Sequence, residues 1–246
     1  MENTFLRKVT INQVLPAKDI CLMNQEIRGT RVCYHQMKKG EQKTCKPWGN
    51  GISILILCRG KVSFDNAEKH FDGTRKSVFV GHPDTDTLIT CREEAGILEL
   101  IRYLSGPERQ QLSQSRDFPY FRVCDEAQRY LEEGKSEKTI SRMLIPQRLI
   151  PRFAMGSVES HDEDMIKKHS HPMLEQYFFS FEDNNCSILI NDGRYPYGGN
   201  TLLHIPLGSD HGILSEQGQS IHYIWMDFLF GDDGLTYMDE VHHMIE

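Results

Sequence analysis

Apolar residues along this chain fall in short runs rather than in long helical stripes. A first series occupies residues 28–104: Ile52 to Cys58 ahead of Arg59-Gly60-Lys61, Ser77 to Val80 ahead of Gly81-His82-Pro83, and Ile97 to Leu104. A second occupies residues 153–230: Glu175 to Phe181, Cys186 to Ile190 before Asn191-Asp192-Gly193, Thr201 to Ile205, and Ile221 to Leu229. Short runs of this kind, separated by Gly, Asn, Asp and Pro, predict strands of a sandwich or barrel. Residues 106–145 read differently. Pro107 to Leu112 and Asp125 to Glu133 are polar helix formers, the second stopped by Gly134, and Ser136 to Leu144 gives a third short helix before Pro146. The expectation is an all-β protein of two domains, residues 1–105 and 151–246, joined by a helical connector over 106–150.

The two β series have the look of copies. Ser53 set against Glu175 gives an offset of 122, and Asp86 against His211 gives 125, so two separate landmarks agree on an internal duplication.

Composition narrows the partners. With 39% hydrophobic and 26% charged residues the chain is an ordinary globular one, and no stretch is apolar and long enough to cross a membrane as a helix. A net charge of −7 argues against nucleic acid, which needs a basic field. No basic helix pair of the DNA-reading type is present. Seven cysteines at irregular spacing include no C-x-x-C pair, which suits buried thiols in a reducing compartment. With no secretory leader at residues 1–8, the expected location is the cytoplasm. Exposed strand edges offer a route to a homodimer.

The chemistry lies in His169-Ser170-His171-Pro172-Met173-Leu174-Glu175 and, further on, Pro206-Leu207-Gly208-Ser209-Asp210-His211. Along one extended strand, residues 169, 171 and 175 share a face, so two imidazoles and a carboxylate converge. A Pro-x-Gly turn delivers His211 from a neighbouring strand. His169, His171, Glu175 and His211 suit one divalent ion (Zn, Mn, Fe, Co or Ni) and leave positions open for water or substrate. Around the equivalent place the first half reads Cys45-Lys46-Pro47-Trp48-Gly49-Asn50-Gly51-Ile52-Ser53, with no His pair and no acid. Later it offers His82 with Asp84 and Asp86, so it reads as metal-free, a private site of Cys45 and His82 being the alternative.

The spacing H-x-H-x-x-x-E followed by P-x-G-x-x-H resembles the two-part signature of the cupin superfamily, a fold of small antiparallel β-barrels with the metal inside. That resemblance implies two tandem cupin barrels, a bicupin whose N-terminal site is degenerate. The run Leu174 to Phe181 is similar to the aromatic strand of the 5-deoxy-glucuronate and 5-keto-4-deoxyuronate isomerases. It implies a metal-dependent isomerase of a sugar acid, a small-molecule carbohydrate substrate, and a metal that stabilises an enediolate. A base is also needed. If odd positions point inward, Asp227 is the candidate base, and Tyr177 and Tyr223 bind substrate oxygens. Arg152, Lys167, Lys168 and Arg194 are the nearby cations for a substrate carboxylate. Two other classes fit the same ligands: an Fe(II) dioxygenase, and a cupin that only holds a metal or carbohydrate.

Overall fold

The computed structural model describes residues 7–11, 19–171 and 173–245. The chain divides into two compact units: an N-unit of residues 16–126, and a C-unit of residues 127–246 joined by residues 1–15. The first described strand, β1 (Arg7–Thr10), pairs with β-structure of the C-unit, at Arg7 opposite His204.

The N-unit contains β2 (Asp19–Asn24), β3 (Thr30–Met37), β4 (Gln42–Cys45), β5 (Gly51–Asn66), β6 (Lys69–Thr74), β7 (Ser77–Val80), β8 (Thr87–Tyr103), helix α1 (Gly106–Gln114) and β9 (Tyr120–Val123). Its antiparallel order is β2-β3-β8-β5-β7-β9, with β4 on β8 and β6 on β5. The C-unit continues with β10 (Arg129–Leu131), β11 (Ile140–Ile150), β12 (Phe153–His161), β13 (Asp164–His169), β14 (Leu174–Ser180), β15 (Asn185–Ile190), β16 (Gly193–Gly198), β17 (Thr201–Ile205), β18 (His211–Ser215), β19 (Ser220–Leu229), helix α2 (Asp232–Val241) and β20 (His243–Met244). Its order is β1-β17-β14-β19-β12-β11-β10-β20, with β13 on β18 and β15 on β16 and β18. Neither hydrogen-bonded path closes into a ring, so the closed barrels expected from the turn spacing are open sheets.

Strand for strand, the two units pair alike. The path β11-β12-β19-β14-β17-β1 repeats β2-β3-β8-β5-β7-β9, and β13 meets β18 as β4 meets the start of β8. Where the C-unit uses β14 and β15, and β18 and β19, the N-unit runs each pair as one long strand. These two long strands slip register around residues 57–62. Gly60 takes φ +80 there, and a Cβ would lie 2.1 Å from the Glu94 carbonyl oxygen, so only glycine fits the bend.

Both cores follow from alternation. Leu55, Leu57, Val62, Phe64 and Phe79 meet inside the N-unit, with Phe64 stacked on Phe79 at 4.5 Å. In the C-unit Phe178, Leu203 and Trp225 share one core with Ile166, Ile188 and Ile213 from the other strand group.

The connector differs from expectation. The segment 107–112 does form α1, whose Ser105 and Glu108 make a reciprocal capping box. The helix expected at 125–133 is absent: Cys124–Glu126 is a single 3-10 turn and residues 129–131 are β10. Residues 140–144 belong to β11. Tertiary contacts override helix propensity here, because Tyr130 is buried and its hydroxyl accepts from Trp225 Nε1 at 2.9 Å. Among the described residues no helix is long and apolar enough to cross a membrane.

Candidate metal centre

Strand β13 ends at His169, which lies opposite His211, the first residue of β18. Just beyond β13, His171 turns in beside them. Its carbonyl accepts from Gly208 N at 3.3 Å, which ties the histidine pair to the Pro206–Ser209 turn. Gly208 has φ +72, the left-handed conformation this turn requires. The ring centroids stand 4.8 Å (His169–His171), 4.6 Å (His169–His211) and 5.3 Å (His171–His211) apart. One ring nitrogen from each lies within 4.8 Å of the others.

Backbone carbonyls fix two of these rings. His169 Nδ1 donates to Lys167 O at 2.9 Å and His211 Nδ1 to Ser209 O at 3.0 Å, an arrangement that puts the lone pair of the neutral ring on Nε2. His211 Nε2 and His171 Nδ1 are buried with no hydrogen-bond partner. Burial, then the neighbouring His169, lowers the pKa of His171 to about 4 and that of His211 to about 3. Both rings are therefore neutral at pH 7, the form that ligates metal.

Glu175, expected as the fourth ligand, is not gathered with the three histidines. Between His169 and Leu174 the chain leaves the strand, so the face shared by 169 and 171 is not carried through to 175. Glu175 points to the opposite face, its Oε1 3.4 Å from His204 Nε2. Gln176 occupies the cavity face instead, with Nε2 donating to Asp227 Oδ1 at 2.8 Å and Oε1 buried without a partner. That hydrogen bond fixes which end of the amide meets Asp227 and leaves the oxygen as the unpartnered end. The gathered donors are the three imidazoles, whose unpartnered nitrogens on His171 and His211 fit a cation, and Gln176 Oε1 is a further unpartnered acceptor on a residue lining the same cavity.

The catalytic candidates separate by the same register. Gln176 pairs with Asp227 and Phe178 with Trp225, so an even position on β14 shares a face with an odd position on β19. Asp227 and Tyr223 line the cavity; Tyr177 does not, and packs on His204 and Phe228. Tyr223 is stacked on Phe178 at 4.7 Å. Asp227 is buried, which raises its pKa to about 7 against the pull of the Gln176 hydrogen bond.

Three cavity residues escaped sequence reasoning: Glu132, Lys135 and His242. Lys135 Nζ bonds Glu132 at 2.7 Å, Ser141 Oγ at 3.0 Å and Tyr130 OH at 3.3 Å. Burial works to raise the Glu132 pKa, but Lys135 and His242 outweigh it and hold the carboxyl well below its ordinary range. The expected cations lie elsewhere: Lys168 pairs with Asp210 and Arg194 with Glu216. Helix α2 lines the cavity with Tyr237 and Met238, and the free volume is about 30 Å³, room for about one water molecule.

No protein-family model matches the chain, and no curated protein sequence matches it. Solved structures do. A "cupin 2 conserved barrel domain protein" from Leptotrichia buccalis superposes with TM-score 0.62 at 11% identity, over 91% of this chain and 96% of that one. A variant of the Bacillus subtilis oxalate decarboxylase OxdC gives 0.66 at 10% identity, over 96% and 84%. Procruciferin, an 11S globulin of Brassica napus, gives 0.68 at 8% identity, over 92% and 85%. At such identities the likeness is one of fold alone, and it spans an enzyme and a globulin.

Proposed function

For a chain with the cupin fold, we propose that the C-unit is a mononuclear metal enzyme that moves a proton on a small oxygen-rich acid, and that the N-unit is a second cupin module without a metal. His169, His171 and His211 hold the ion and Gln176 completes the set. The observation that carries this reading is that ring nitrogens of His171 and His211 and the Gln176 amide oxygen are buried, unpartnered, and gathered on one cavity. A bound divalent ion supplies Lewis acidity toward a carbonyl or hydroxyl oxygen.

The chain's own residues do the rest. Asp227 sits in that cavity with a pKa near neutrality, suited to taking and returning a proton at pH 7. Phe178, Tyr223 and Trp225 exclude water from it. Lys135 already spends its donors on Glu132, Ser141 and Tyr130, so it balances the Glu132 charge rather than meeting a free carboxylate. A substrate larger than water needs more room than the free volume of about 30 Å³, and Tyr237 and Met238 of α2 are among the side chains that must yield to admit it.

Isomerisation of a uronate or deoxyuronate is the reaction to test first, on the strength of the aromatic strand at residues 174–181. Metal-loaded protein is assayed without oxygen on a panel of these acids. Turnover that is lost in His211→Ala supports the reading. Failure on every sugar acid, together with oxygen uptake on a diol or catechol, replaces it with an Fe(II) oxygenase.

A further inference from the structure

The N-unit has kept a cavity where its site would be, and a second cavity beside it contains a buried carboxylate. Cys45, Pro47, Ser53 and Thr87 stand where the C-unit has His169, His171, Gln176 and His211, and all four line the first cavity. Adjoining this is an open cavity of about 370 Å³ reached past Lys43, Lys46 and Trp48, with Glu99 at its base. That volume is in the range of small-molecule sites, roughly 300–1,000 Å³.

Glu99 is 6% exposed and belongs to a chain of polar groups. Ser53 Oγ donates to its Oε1 at 2.7 Å, and His35 Nε2 bonds its Oε2 at 2.7 Å. His35 Nδ1 bonds Asp19, which Lys43 holds at 3.2 Å. Burying such a network is expensive where an apolar core would serve, so its place at a cavity floor asks for a use. Each Glu99 oxygen accepts one bond within the chain and has capacity for another. At the rim, Lys46 is exposed and makes no hydrogen bond or ion pair among the described residues. Trp48, half-buried with Arg31 5.9 Å from its ring centroid, supplies an apolar wall.

We propose that this cavity is a second binding site, for a small carboxylate that also carries a hydroxyl or ammonium group: Lys46 takes the carboxylate, Glu99 accepts from the donor, and Trp48 covers the carbon skeleton. The site works without metal, and so stands independently of the function proposed for the C-unit.

Isothermal titration of the full chain with glycerate and with serine tests it, with propionate as the donor-free control of the same carbon skeleton. Each titration is run after chelator treatment and again on Zn-loaded protein. One saturable site per chain is expected for glycerate or serine in both states, with propionate about tenfold weaker for want of a charge-assisted hydrogen bond. Lys46→Ala, at an exposed position that leaves the fold intact, is expected to weaken binding by about tenfold. Glu99→Gln, if it folds, should abolish the preference over propionate. The proposal is overturned by absence of saturable heat with both probes at tens of millimolar, by equal binding of propionate, or by unchanged binding in Lys46→Ala. Heat that vanishes with the metal and returns with it belongs to the C-unit and also overturns the proposal.

Discussion

Where β13 meets β18, the C-unit sets His169 opposite His211; where β4 meets β8, the N-unit sets Cys45 opposite Thr87. The strand pairing around these positions is the same, yet one unit gathers three imidazoles while, among the described residues, the other brings only His82 to the equivalent cavity. In the C-unit, burial keeps His171 and His211 neutral and their lone pairs orphaned, a state that a cation relieves. In the N-unit, burial pushes the Cys45 thiol up to about 12, so it is a neutral small side chain rather than a thiolate ligand. The N-unit satisfies its interior internally instead, through Ser53, Glu99, His35 and Asp19. One scaffold thus supports two solutions to a polar interior: a cluster of imidazoles with unpartnered nitrogens, and a hydrogen-bonded chain of side chains around a buried carboxylate.

The sharpest break in this comparison comes from the histidines. His171→Ala or His211→Ala should lose the ion while circular dichroism shows the fold retained, whereas His82→Ala in the N-unit leaves metal content unchanged; elemental analysis after dialysis decides. Next come the two neighbours on β14. Gln176→Ala is expected to weaken metal binding by about 10–100-fold, in the range found for residues that complete or orient a site, and Glu175→Ala to leave it within about twofold. Competition against a chromophoric chelator reads both, and the reverse order would restore Glu175 as the ligand. Asp227→Ala should act more weakly than Gln176→Ala, by about tenfold, because it only orients the amide.

On the N-unit side, Gly60→Ala places a Cβ against Glu94 O at φ +80 and should destabilise that unit by about 1–3 kcal/mol in urea unfolding, with the C-unit's metal affinity unchanged. The smallest effect is one of pH. Burial works to raise the Glu99 pKa, but the His35 and Ser53 hydrogen bonds outweigh it and hold it below its ordinary value. A carboxyl lowered on folding stabilises the fold above the unfolded pKa of about 4.3, and that stability is lost as pH falls through the folded value. Glu99→Gln should flatten this acid-side decline in the urea midpoint; an unchanged decline would locate it elsewhere.

Much of this was legible in the sequence, because strands with one buried face announce themselves: β5, β7, β14, β15 and β19 all lie on apolar runs. The three histidines were legible too, from H-x-H and the Pro-x-Gly turn before His211. Glu175 lies by His204 rather than with the histidines because alternation holds only while the chain stays extended, and Ser170 and His171 are outside the strand. The same parity error put Tyr177 inside, since face-sharing between β14 and β19 depends on a register that sequence spacing does not specify. The helices expected at 125–133 and 136–144 rested on propensity, which the burial of Tyr130 overrides. Glu132, Lys135 and His242 reach the cavity from distant segments and carry no local signal. Nor does β1, whose pairing with β17 joins residues almost two hundred positions apart.

The central claim is that one unit holds an ion and the other does not. Stripping the full chain with chelator and titrating it with Zn or Mn, with bound metal counted by elemental analysis, tests it directly. The account predicts one ion per chain, lost in the His171→Ala, His211→Ala double variant. Two ions per chain, or one ion retained by the double variant, would contradict it.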